Sequence, residues 1–429
     1  MNTLTKDRVI LHCDMNGFFA SVELLSHPEL REKPMAVCGD PDSRHGIILA
    51  KNEIAKKYGI VTAETIWQAK KKCPDLQLVP PHMADYKYYS QEINKIYQRF
   101  TDMVEPFSID ESWLDVTASQ SLFGTGRQIA DTIRQTIKNE LALTLSAGVS
   151  FNKVFAKMGS EYKKPDATTE ITRQNYKTLL WPLKADELFF VGKATAQKLT
   201  GAGILTIGDL ACANPQMLKS LLGKSGTQLW EYANGMDQSP VALFSKEEEI
   251  KSIGNGTTFK RNLTSTDDIL TAVTALSDTV SARLRKHHLK ARGIKIDIKD
   301  PYFKVISRQK QLFSATNLAE EIRLHAMDII SHCWKTGYPI RLITITGINL
   351  VSEDYEEQIS LFAEDQSRQE KGQQIAHTMD EVRRKYGAGA IGFAAVIGND
   401  IGVSVRGTNP HETSESETSS SLEEPSRKI

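Results

Sequence analysis

Val104-Glu105-Pro106-Phe107-Ser108-Ile109-Asp110-Glu111-Ser112-Trp113-Leu114-Asp115-Val116 reads as a strand, a tight bend and a returning strand, with Asp110 and Glu111 where the chain turns back. A second apolar strand, Val9-Ile10-Leu11-His12-Cys13-Asp14, ends in a carboxylate 96 positions before Asp110. Acids at the ends of apolar strands are what a divalent-metal site built across neighbouring strands requires. Oxygen-ligand cations take ionised carboxylates and tolerate water in the rest of the shell, so Asp14 and Asp110 could bridge two Mg²⁺. Successive strand residues point to opposite faces, so Glu111 joins such a site only if the chain bends or bulges at Asp110. The alternative is that each acid merely ends a strand in solvent.

Outward from these strands, Phe18 to Leu25 is helical, Met35 to Cys38 is a strand, Gly39 to Gly46 is rich in turn residues, and Gly46 to Ala50 resumes as strand. Helical spacing covers 86–103 and 127–141, and Leu143 to Ser150 is another strand. Short helices with glycine punctuation follow over 171–240, then a linker at 241–250. The order after the linker is strand 251–259, helix 266–290, strands 293–299 and 303–312, helix 317–335 and strand 339–350, a βαββαβ module. Alternation in Ile294-Lys295-Ile296-Asp297-Ile298-Lys299 packs one sheet face on the helices and leaves Lys295 and Lys299 on a basic open face. Beyond 350 the chain is acidic, with a helix expected at 367–386 and a Ser/Glu/Thr-rich end from 407 that buries too little to order itself.

The 429 residues hold 53 Lys+Arg against 53 Asp+Glu, with 40% hydrophobic and 25% charged positions, a soluble globular make-up. Collagen, extended disorder and disulfide scaffolds are excluded. No apolar run approaches the ~20 residues of a membrane helix. Lys6, Asp7 and Arg8 stand where a signal peptide needs an apolar core, so a cytoplasmic location and no membrane partner are expected. Five scattered cysteines without a C-x-x-C pair argue against a zinc knuckle, so any metal chemistry rests on carboxylates. Net charge is zero, yet 251–349 carries 16 Lys/Arg against 8 Asp/Glu, and 350–429 carries 8 against 15. A polyanion touched by one part of the chain explains that asymmetry, and a solvated basic face is the alternative.

Asp14-Met15-Asn16-Gly17-Phe18-Phe19-Ala20-Ser21-Val22-Glu23, Ser108-Ile109-Asp110-Glu111-Ser112 and Ser150-Phe151-Asn152-Lys153-Val154-Phe155-Ala156-Lys157, in this order, strongly resemble the Y-family DNA polymerases of the UmuC/DinB translesion type. The resemblance spans residues 8 to 362. It implies an α+β multidomain right hand: a ferredoxin-like palm (1–15 and 81–170), small fingers (16–80), a helical thumb with a helix-hairpin-helix (171–240), a linker (241–250), a βαββαβ little finger (251–350), and a tail (351–429) of clamp-binding peptide, short helix and disordered end. The implied activity is template-directed, low-fidelity addition of dNTPs to a primer 3′-hydroxyl in DNA damage tolerance, by a monomer on primer-template DNA.

In that family Asp14, Asp110 and Glu111 are the catalytic metal-binding acids, with the Met15 carbonyl a further ligand of two Mg²⁺. Phe18 and Phe19 fall to substrate binding, Phe19 as the ring that clashes with a ribonucleotide's 2′-hydroxyl, and Phe18 reads equally as a core aromatic. Lys157 would hold the triphosphate. The fingers depart from the pattern, with Glu53 where the family has Tyr and Lys56 where it has Arg; Lys56 keeps the charge but not the bidentate fork. Asn16 in place of Asp leans towards the UmuC-like, DNA polymerase IV-like branch of Gram-positive bacteria. Gly192 and Lys193 open a hairpin helix suited to a DNA phosphate, although Phe190 replaces the first hairpin glycine. Lys295 and Lys299 would grip duplex phosphates without reading bases. Gln358-Ile359-Ser360-Leu361-Phe362 resembles the peptide that binds the bacterial sliding clamp (β subunit), with Gln358, Leu361 and Phe362 as its contacts. Two rivals stay open. A nucleotide cyclase has no use for a hairpin thumb, and a non-catalytic DNA-binding repair scaffold retaining the polymerase fold could dispense with the acids.

Overall fold

The computed structural model describes residues 7–41, 46–245, 249–335, 337–355 and 363–405. Gln358, Leu361 and Phe362 therefore lie outside the described residues, as does the Ser/Glu/Thr-rich end. The chain forms two compact units divided near residue 247.

The first unit is built on a five-stranded sheet in the order Val104–Pro106, Glu111–Asp115, Ile10–Met15, Leu145–Ser150, Thr168–Ile171. Ile10–Met15 is central and buried along its whole length, which is why it lacks the polar alternation of a surface strand. Its two faces are used differently. Leu11, Cys13 and Met15 pack against helices Met83–Gln98 and Gly126–Leu141 through Ile93, Ile96, Tyr97, Ile129 and Ile133. Ile10, His12 and Asp14 lie on the other side, where helix Lys153–Tyr162 packs, with Ala156 beside Ile10 and Trp113 and with Ser160 against His12. Asn152 starts that helix by accepting from Phe155 N at 2.8 Å.

A smaller sheet, Ile48–Lys51, Met35–Cys38, Gln77–Val79, has its own core with helix Ile66–Lys72. Helix Phe18–Ser26 serves both sheets, sending Phe18 and Val22 into the large core and Ala20 against Met35 and Val37. Helices Lys193–Gly201, Ile207–Cys212, Pro215–Leu222 and Lys224–Ala233 share a further core with Phe151, Val154 and Phe155.

The second unit is an antiparallel sheet in the order Val305–Thr316, Leu289–Lys299, Ile340–Ser352, Ser252–Leu263, backed by helices Thr266–Lys286 and Ala319–Cys333. Ile294, Ile296 and Ile298 are buried against the helices, and Lys295 and Lys299 point to the open face. That face is less basic than its sequence suggests. Asp297 shares it and pairs with Lys295 at 3.2 Å, and the register brings Gln309, Ser307, Thr346 and Thr344 alongside. Arg308 and Lys310 fall on the opposite side, in register with Ile296 and Ile294, and Lys310 is paired with Asp328.

Residues 363–405 fold onto the same module. From helix Ala363–Tyr386, Arg383 makes a two-pronged bond to Asp278 (2.9 and 2.7 Å), and Asp380 receives Arg285 (2.6 and 3.0 Å). Ile401 enters the core, and its carbonyl accepts from Lys260 N (2.9 Å), capping the edge strand Ser252–Leu263.

Candidate active site

Met15 N donates to the Asp110 carbonyl at 3.1 Å, and Asp14 stands directly opposite Glu111 in the antiparallel register. Opposed residues share a face, so both carboxylates project towards helix Lys153–Tyr162. Asp110 sits before the strand, in a bend closed by Phe107 N and Ser108 N donating to the Glu111 carbonyl (2.8 and 3.3 Å). The bend frees Asp110 from strand alternation. Its carboxyl feels both the charge of Glu111 and that of Lys164. The two distant stretches thus converge.

Each acid has a partner. Lys164 Nζ is 2.8 Å from Asp14 and 2.9 Å from Glu161, Lys157 Nζ is 2.6 Å from Glu111, and Ser108 Oγ donates to Asp110 at 2.7 Å. Burial lifts the Asp14 carboxyl far above the usual carboxylate range, with Lys164 opposing and Glu111 and Glu161 adding to the lift. Asp110 is raised by burial too, tempered by Ser108. Burial also works to raise Glu111, yet its carboxyl lies well below the usual range. His12 Nε2, at 3.4 Å, lacks hydrogen-bond geometry, so we assign that depression to Lys157. Burial holds His12 itself down to about 4, and Ser160, whose hydroxyl donates to the Lys157 carbonyl, accepts from its Nδ1 at 2.8 Å.

Among the described residues no three His, Cys, Asp or Glu side chains already converge as a metal cage. The donor set nevertheless fits a divalent cation. The ligands are hard oxygens, burial destabilises the charges of Asp14 and Asp110, and a buried, unpartnered His12 nitrogen faces Glu111. Such a cluster is short of positive charge.

Phe19 is half-buried and lies flat on Tyr86, with centroids 4.1 Å apart and planes 9° apart. The Tyr86 hydroxyl donates to buried Glu23, which also takes His82 Nδ1 at 3.0 Å. Phe18 is 3% exposed in the core beneath, which removes it from the substrate-binding set and makes it a packing residue. Gly17, which opens this helix, has φ +53°, and a Cβ there would stand 3.4 Å from the Lys51 carbonyl. Lys56 is exposed in the small-sheet region and pairs with Glu53 at 3.6 Å, so the residue in the tyrosine position offsets the charge expected to meet phosphate. Gly192 caps helix Lys193–Gly201 in extended geometry with open space around its Cα. Phe190 adopts φ +72°, the left-handed conformation its missing glycine would take freely, with its ring against Phe189 and Tyr232.

Residues 13–161 match the impB/mucB/samB family, 250–361 match that family's C-terminal domain, and 187–237 match the DNA polymerase-iota thumb domain. The chain is 47% identical over 380 residues to a DNA polymerase IV of Acetivibrio thermocellus, covering 89% of this chain and 95% of the relative. The chain belongs to the Y family of DNA polymerases. A DNA polymerase IV 1 of Bacillus subtilis is 36% identical over 397 residues, 91% of this chain and 94% of its own. A solved Y-family polymerase chimera of Dbh and Dpo4 shares the fold with a TM-score of 0.72 at 24% identity, covering 80% of this chain and 99% of that one. Against this Y-family frame, sequence reasoning missed Lys164, Glu161 and Tyr86. The signal for Glu161 was present, since Lys157 and Glu161 stand at i and i+4 on one side of helix Lys153–Tyr162; Lys164 lies two residues beyond its end, where no helical spacing applies.

Proposed function

We infer that the chain is a DNA-directed DNA polymerase of the translesion type, adding dNTPs to a primer 3′-hydroxyl on a DNA template. The observation that carries this reading is that Asp14 stands opposite Glu111 on paired strands while Met15 N is bonded to the Asp110 carbonyl at the bend, which brings the two acidic stretches side by side. Asp14, Asp110 and Glu111, with the Met15 carbonyl, would hold two Mg²⁺. Bound there, the ions would supply activation of the hydroxyl and stabilisation of charge on the leaving pyrophosphate. The protein's own part is positioning and electrostatics.

Lys157 and Lys164 neutralise the acids in the absence of substrate, and either ammonium, a point charge on a flexible stem, can exchange a carboxylate for a triphosphate oxygen. Phe19, backed by Tyr86, excludes a 2′-hydroxyl by overlap. The domain limits follow those given above, with helix Phe18–Ser26 shared between palm and fingers. Gly192 and Lys193 in the thumb and Lys295 and Lys299 in the little finger contact DNA phosphates, Gly192 and Lys193 being exposed residues and Lys295 weakened by Asp297. Gln358, Leu361 and Phe362 dock on the sliding clamp. On this reading the enzyme acts as a cytoplasmic monomer; no helix among the described residues is long and apolar enough to cross a membrane.

A primer-extension gel with Mg²⁺ and with EDTA tests the reading. Wild type should extend with Mg²⁺ alone, while Asp110→Ala should lose extension and keep primer-template binding. Extension by Asp110→Ala at the wild-type rate refutes the metal assignment, and wild-type protein that binds DNA without extending it is the scaffold instead.

A further inference from the structure

Helix Ile66–Lys72 in the fingers has two opposite faces. Ile66, Ala69 and Cys73 are buried in a core with Ile48, Ile60 and Leu76. Trp67, Lys70 and Lys71, at spacings of three and four, make an exposed stripe, with Trp67 71% exposed and the Lys71 ammonium 5.5 Å from its ring centre. The stripe is held still. Thr65 and Gln68 close a capping box at one end, and Lys72 at the other reaches the Gly59 carbonyl (2.8 Å) and Glu64 (2.6 Å).

Charge identifies what an indole displayed this way can meet. Glu53 and Glu64 are engaged by Lys56 and Lys72, and among the described residues Lys70 and Lys71 have no carboxylate at ion-pair distance. An aromatic face beside unmatched ammonium groups complements a nucleobase flanked by phosphates. Duplex DNA hides its base faces in the stack, whereas a single strand offers them. The same subdomain reaches the nucleotide site, because strand Ile48–Lys51 meets the turn at Gly17 that precedes Phe18 and Phe19.

We propose that Trp67, Lys70 and Lys71 form a binding site for the unpaired template strand ahead of the catalytic centre, Trp67 stacking on a base and the lysines meeting its phosphates. The site rests on the polymerase reading above. It is separable from the catalytic acids, since none of its side chains touches them.

The test measures affinity of the full chain, by fluorescence anisotropy over a range of salt, for a primer-template with a single-stranded template overhang and for the same duplex with blunt ends. Trp67→Ala should weaken binding of the overhang substrate about tenfold and leave the blunt duplex unchanged, and Trp67→Phe should recover most of the loss. Lys70→Ala with Lys71→Ala should reduce the salt slope of overhang binding by about 1.4. Equal effects on the two substrates, or none, overturn the site, and a protein partner on this face would give that result. Primer extension by the wild type, run alongside, keeps the two readings apart: its failure sinks the polymerase, while its success together with a Trp67→Ala that binds the overhang substrate as tightly as wild type sinks the template site alone.

Discussion

An aromatic ring rejects a hydroxyl by overlap only if it cannot swing aside. Phe19 is braced by the flat face of Tyr86, and Tyr86 is braced in turn by its hydroxyl on Glu23, itself 3% exposed. Phe19→Ala should raise ribonucleotide insertion relative to deoxyribonucleotide insertion by at least about tenfold in single-nucleotide kinetics. Tyr86→Phe keeps the supporting ring and should change that ratio far less. Unchanged selectivity in Phe19→Ala would remove the gate. At this scale the site was partly legible. Asp14, Asp110, Glu111 and Phe19 stand in short local motifs, whereas Tyr86 looks in the sequence like one more apolar position of an amphipathic helix, and its contact with Phe19 comes only from the fold.

The placement of Lys157 and Ser160 depends on how closely helix Lys153–Tyr162 approaches the sheet. Gly148 in strand Leu145–Ser150 permits that approach, since a Cβ there would lie 1.8 Å from the Ala156 carbonyl oxygen and 2.5 Å from Ser160 N. Both are backbone atoms of the helix, so no rotamer change relieves the clash, and the helix must lift away. Gly148→Ala should destabilise the protein by about 3 kcal/mol or more, read as a lower urea midpoint, and should cut primer extension further by displacing Lys157. A midpoint equal to wild type would contradict this packing. Strand and helix order was legible from apolar spacing, including the βαββαβ module, but this glycine was read only as part of a strand. Closeness between two elements leaves no periodicity to detect.

At the scale of the whole chain, the acidic tail was expected to hold a helix at 367–386 and a disordered end. That helix does more than stand alone: Arg383 is 4% exposed and bonded to Asp278, which is 8% exposed, and so ties the tail to the C-terminal module. The pair spans 105 residues. The helix bearing Arg383 is strongly polar, so its anchor is ionic and neither partner advertises the other. Removing one side of a buried pair strands the other charge in the interior, at a cost of about 3–5 kcal/mol. Arg383→Met should therefore speed amide hydrogen exchange in helices Thr266–Lys286 and Ala363–Tyr386 together. Adding Asp278→Leu should restore most of the protection, because no lone charge then stays buried. If Arg383→Met alone leaves the exchange of Thr266–Lys286 untouched, the tail helix does not stabilise the module through this contact.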